Sequence, residues 1–79
     1  MNIKILGSGC ASCTKLAEAV RETVDGMGID ATVEKVTDLN DIMAYGVMTT
    51  PGLVIDEQVK AAGRVPSGDE LERLIRDSM

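Results

Sequence analysis

Met1-Asn2-Ile3-Lys4-Ile5-Leu6 alternates apolar and polar side chains and closes on Gly7-Ser8-Gly9, the pattern of a strand entering a tight turn. From Cys13 the period lengthens. Cys13, Leu16, Val20, Val24 and Met27 recur at steps of three and four, which places them on one buried face of a helix, with Gly26 and Gly28 as its stop. Alternation returns through Ile29, Ala31 and Val33 and predicts a second strand ending near Val36. Asp38 is a good N-cap for a short helix carrying Leu39, Ile42 and Met43, ended by Gly46. Thr49-Thr50-Pro51-Gly52 then breaks the pattern. Leu53-Val54-Ile55, the polar turn Asp56-Glu57-Gln58 and Val59-Lys60-Ala61-Ala62 read as a hairpin. Ser67 and Glu70 form an S-x-x-E capping box that opens a last helix with Leu71, Leu74 and Ile75 inward.

The predicted order is β-α-β-α-β-β-α, an α/β fold. A right-handed crossover makes the first two strands parallel and the hairpin makes the last two antiparallel, giving a four-stranded mixed sheet flanked by helices. No repeat, low-complexity stretch or linker divides the chain, so residues 1–79 read as one domain. A chain of this size buries only about 60–65% of its unfolded surface, so one thin core is expected. Met27, Met43 and Met48 fall among apolar neighbours and are expected to fill it.

Composition narrows the function. The chain has no His, which excludes a Ser-His-Asp triad, a Cys-His pair and zinc sites that need histidine. With no Trp or Phe and only Tyr45, it lacks an aromatic platform for nucleic acid bases. Its net charge of −5 has the wrong sign for a phosphate backbone. No apolar run reaches the roughly 18–20 residues of a membrane span, and the N-terminus lacks the layout of a signal peptide. A cytoplasmic location is therefore expected. There, two cysteines point to catalysis or metal binding before a structural staple.

Cys10-Ala11-Ser12-Cys13 lies where the first strand turns into the first helix. Sulfurs at i and i+3 fall within one turn, so a disulfide needs little backbone movement. A thiol at a helix start faces unpaired N–H groups and the positive end of the macrodipole, both of which favour thiolate. Cys13, one turn in and on the apolar face, is expected to be shielded. The division of labour follows: Cys10 attacks a substrate disulfide and Cys13 resolves the mixed disulfide. Lys15 opposes the helix dipole but would support a nearby thiolate; a solvated lysine is the simpler reading. Ser12 is placed to donate to sulfur, although serine near a helix start more often binds backbone. Gly7-x-Gly9-x-x-Ser12 imitates a dinucleotide fingerprint without its third glycine, in a chain too short for that fold.

A C-x-x-C pair alone leaves redox chemistry and soft-metal binding open. Strand-Gly-x-Gly-Cys-x-x-Cys-helix, followed by Thr50-Pro51, an apolar strand, a hairpin and a terminal amphipathic helix, resembles the thioredoxin superfamily. More narrowly, it is similar to the very small thioredoxin- and glutaredoxin-like redox disulfide proteins of prokaryotes, archaeal ones typically, over essentially the whole chain. The resemblance implies a thiol–disulfide oxidoreductase with Cys10 as nucleophile, Cys13 as resolving thiol and Pro51 as the family's cis-proline. It also implies that Thr50 offers its backbone to a substrate peptide in strand-like fashion. Disulfide-bearing client proteins and a reductase or thiol pool would be its partners, with no cofactor, no metal, no nucleic acid and no membrane, the chain acting as a monomer. The sequence departs from the family in having Ala11-Ser12 between the cysteines and no aromatic residue flanking them. The first strand's only charge is Lys4, so thioredoxin's buried carboxylate has no match. Gly63-Arg64 and Ser67-Gly68-Asp69 only faintly echo a glutathione signature, and an exposed structural arginine is the simpler reading of Arg64.

The competing resemblance is to the heavy-metal-associated domains that carry Cu(I), since two thiolates on a surface loop suit a soft monovalent ion. Those domains have a methionine where Ser8 stands and a βαββαβ order that ends in a strand, and their pattern does not require Thr50-Pro51.

Overall fold

A computed structural model describes every residue of the chain except Ser8 and Cys10. The elements follow the predicted order: β1 (Asn2–Leu6), α1 (Ala11–Met27), β2 (Thr32–Val36), α2 (Leu39–Ala44), β3 (Gly52–Ile55), β4 (Gln58–Ala62) and α3 (Gly68–Asp77). The strands form one sheet in the order β2-β1-β3-β4. β1 runs parallel to β2 and antiparallel to β3, and β3 runs antiparallel to β4. The α/β class, the parallel crossover and the hairpin are as expected from the sequence.

Strand alternation sorts the side chains between two faces. Ile3, Ile5, Leu53 and Ile55 point to one face, where Leu16, Ala17, Val20 and Val24 of α1 and Leu71 and Ile75 of α3 bury them. Gly28, with φ +66°, ends α1, its N–H donating to Val24 O and Asp25 O, whereas Gly26, read with it as the stop, lies inside the helix. The opposite face is more thinly covered: Leu6 and Val54 pack with Ile42 and Val47, flanked by Val36 and Tyr45.

That thin cover corrects the reading of α2. Asp38 caps it as expected, accepting from Asn40 N at 2.8 Å. Of its apolar residues, however, only Ile42 is buried, while Leu39 and Met43 are exposed. At 3.6 residues per turn they lie about 60° and about 100° round the helix from Ile42. A six-residue helix that seats Ile42 on the sheet leaves both of them outside. Met48, 87% exposed, is likewise no core filler, and Met27 packs only at the edge of the main core.

Two local contacts also differ from the sequence reading. The hairpin loop is two residues, not three, because Gln58 already pairs with Ile55. Asp56 and Glu57 both take positive φ (49° and 68°), the backbone of a type I′ turn that normally selects Asn or Gly. Tertiary hydrogen bonds hold them there. Asp56 Oδ1 accepts from Asn2 N, and Asp56 N donates to Asn2 O, both at 2.8 Å. The capping box of α3 is one-sided: Ser67 Oγ accepts from Glu70 N at 3.3 Å, but the Glu70 carboxylate binds Arg64 in a two-pronged ion pair of 2.8 and 2.5 Å.

Candidate active site at the start of α1

The sheet register assembles the site. Val36, Leu6, Gly52 and Ala62 form one row across all four strands. One step beyond that row, along each strand's own line, stand Thr37, Gly7, Pro51 and Gly63. Chain segments far apart in sequence therefore meet at one edge. Gly7 N donates to Val36 O at 3.0 Å, and Gly63 N donates to Pro51 O at 2.8 Å. The Thr50–Pro51 peptide bond is cis, as the resemblance implied. Pro51 is buried, and Thr50 beside it is exposed.

Cys13 is the third residue of α1 and only 5% exposed, the shielded position expected of it. Its sulfur is disulfide-bonded. It packs directly on the main chain at Gly7: a Cβ placed there would lie 2.2 Å from Cys13 Sγ and 3.9 Å from Thr50 Cβ. Gly7 thus does more than make a turn. It opens the space in which Cys13 and the Thr50–Pro51 segment approach each other. Gly63, at φ +76°, makes similar room for Thr49, whose Oγ1 lies 2.6 Å from where a Cβ would stand.

The remaining candidates divide. Cys10 lies outside the described residues. Ser12 and Lys15 are exposed on α1. Arg64 is engaged by Glu70, which agrees with a structural role. A cavity of about 30 Å³ adjoins Cys13, lined by Ile5, Gly7, Gly9, Thr14, Lys35 and Thr37 besides the cysteine itself. Lys35 was not read from the sequence as part of the site. Its signal was present: Ile29, Ala31 and Val33 alternate inward, and the next position of that parity is charged.

Lys4 points to the other face of the sheet. Its ammonium donates to Tyr45 Oη at 2.8 Å and to Glu57 Oε1 at 2.7 Å, and Tyr45 Oη donates to Glu57 Oε2 at 2.9 Å. The triad ties the hairpin turn to the C-cap of α2, from which the chain runs to Thr50. Hydrogen bonds from Lys4 and Tyr45 lower the Glu57 pKa, those to Glu57 and Tyr45 raise that of Lys4, and Arg64 lowers that of Glu70. A carboxylate whose folded pKa is depressed contributes stability that is full above its unfolded value and lost as pH falls through the folded one. Stability in urea should therefore hold level near neutral pH and fall below the ordinary glutamate value of 4.5. Glu57→Gln should lower the neutral plateau and flatten the acid fall, which unfolding midpoints between pH 3 and pH 7 will show.

The thioredoxin domain family model matches residues 1–76. The chain belongs to that family. A thioredoxin of Methanothermobacter thermautotrophicus is 40% identical over 75 residues, covering 95% of this chain and 97% of that one. A thioredoxin of Methanocaldococcus jannaschii is 38% identical over 74 residues, covering 94% and 85% respectively. The fold is accordingly thioredoxin-like, and the protein is a thiol–disulfide oxidoreductase of thioredoxin type. The Cu(I)-carrier reading finds no support: the element order ends in α3 and not in a strand. Among the described residues no helix is long and apolar enough to cross a membrane.

Proposed function

We propose that this thioredoxin-family protein exchanges a Cys10–Cys13 dithiol with the disulfides of client proteins and low-molecular-weight compounds. Cys10 immediately precedes the first residue of α1. Its thiolate attacks a client sulfur, forming a mixed disulfide and releasing one client thiolate. Cys13 then attacks the sulfur of Cys10, a Cys10–Cys13 disulfide forms, and the client leaves with two electrons. Thr50 offers its backbone to the client beside this pair. A reductase or thiol pool restores the dithiol, and the chain works as a cytoplasmic monomer without a bound cofactor.

The observation that most supports this reading is the seat of Cys13, buried against Gly7 and next to the segment that carries Thr50 and cis-Pro51. The test is turnover. The reduced protein should cleave a protein disulfide catalytically with dithiothreitol or a thioredoxin-type reducing system as donor. Binding of Cu(I) to the reduced pair decides nothing, because any close dithiol takes up a soft metal. Failure to turn over with several donors, combined with tight Cu(I) binding, would reverse the assignment.

A further inference from the structure

The thiol of Cys13 has to lose its proton before it can resolve a mixed disulfide, yet it is buried and β1 carries no carboxylate beneath it. An apolar surrounding raises a thiol's pKa, so the site needs a feature that favours the thiolate. Lys35 is that feature by position. It pairs with Ile5 across β1 and β2, so its side chain leaves the sheet on the α1 face, the face on which Val33 joins the main core. The cavity beside Cys13 agrees with this placement, since Ile5, Lys35 and Thr37 line it together with Cys13 and Thr14. Its volume of about 30 Å³ is enough for a water molecule.

We propose that Lys35 is a positioning residue for the resolving step, an exposed cation lining the same water-sized cavity as Cys13, where it stabilises the Cys13 thiolate. An ammonium has no lone pair, so it does not take the proton. The proton passes through the cavity to solvent, and the positive charge at the rim favours the anion left behind. The surrounding charges leave this role to Lys35. The first turn of α1 contains no acid, and Lys15 and Glu18 further along it are exposed. Lys4 and Glu34 pair across β1 and β2 on the opposite face of the sheet. Asp38, just past Thr37, is turned onto Asn40 N. The segment from Gly46 to Pro51 carries no charge.

This inference rests on the exchange reading only in that Cys13 is the resolving thiol, and its test is independent of turnover. In the reduced full chain carrying Cys10→Ser, the ultraviolet absorbance of the thiolate reports Cys13 alone. Lys35→Met keeps the stem and removes the charge. It should move the titration midpoint up by about half to one pH unit, so that roughly three- to tenfold less thiolate is present at neutral pH. Lys35→Arg should restore the parent midpoint, which a merely steric role for the stem would not require. In the chain with both cysteines, Lys35→Met should slow release of a mixed disulfide by a similar factor at pH 7 and by less at pH 9. An unchanged midpoint in Lys35→Met, or an equal shift in Lys35→Arg, would overturn the role of Lys35 and leave disulfide exchange untouched. Absent turnover in the parent chain would overturn the exchange reading instead.

Discussion

Cys13→Ser should accumulate a stable mixed disulfide between Cys10 and a client, while Cys10→Ser should lose almost all reactivity toward disulfides. The asymmetry follows from position. A thiol at a helix start has a pKa of roughly 3.5–7.5, against about 8.5 when free, which alone raises the thiolate fraction at neutral pH by about tenfold or more. Cys13 is 5% exposed and backed by Gly7, so it cannot reach the sulfur of a bulky client. It needs to reach only Cys10, three residues away. Non-reducing gels of each variant mixed with an oxidised protein substrate, with mass spectrometry of any adduct, separate the two roles. Equal reactivity of the two variants would refute the assignment of nucleophile and resolving thiol.

Gly7→Ala should be the most damaging single methyl group that can be added near the site. Its Cβ would stand 2.2 Å from Cys13 Sγ and 3.0 Å from Cys13 Cβ, well inside the roughly 3.5–4.0 Å of an ordinary contact. Cys13 is a short side chain held by α1, so relief requires either the helix start or the end of β1 to shift. Overpacking of this kind costs about 1–3 kcal/mol. In a domain of this size each kcal/mol corresponds to roughly 4–8 °C in melting temperature. Exchange activity should fall along with stability, because the shift displaces Cys13 from Thr50. Gly26→Ala is the internal contrast. Gly26 lies in α1 with nothing within 4 Å of its would-be Cβ, so alanine there should stabilise by about 0.5–1 kcal/mol. Thermal melts of both variants check the pair. A Gly7→Ala protein as stable and active as the parent would show that Cys13 is not seated against the Gly7 main chain.

The contrast between the two cysteines is legible in the local pattern, whereas that between Gly7 and Gly26 depends on the fold. Local pattern settles what a single segment can decide alone. Three- and four-residue spacing from Cys13 to Met27 defined the buried face of α1, alternation defined the faces of β1, and Asp38 and Ser67 marked two helix starts. The motif before a helix narrowed the chemistry to redox or soft-metal binding, and the family resemblance implied both redox exchange and a cis Thr50–Pro51 bond. Spacing, alternation and caps rest on contacts within a few residues, so they survive without knowledge of the fold.

Which groups lie opposite one another depends instead on strand order and register. The pairing of β1 with β2 and β3 brings Gly7 level with Thr37 and Pro51, and only then does a glycine become the wall behind Cys13. The same register brings Lys35, a charge on an inward parity, to the cavity that Cys13 also lines. Glu70 has the right spacing for a reciprocal cap, but Arg64, brought close by the fold, takes its carboxylate as a stronger charged partner. Leu39 and Met43 have core-like spacing, but the sheet face beneath α2 seats Ile42 and leaves them exposed. Apolar spacing states which side chains can be buried together; whether a surface exists to bury them is decided by the packing of elements remote in sequence.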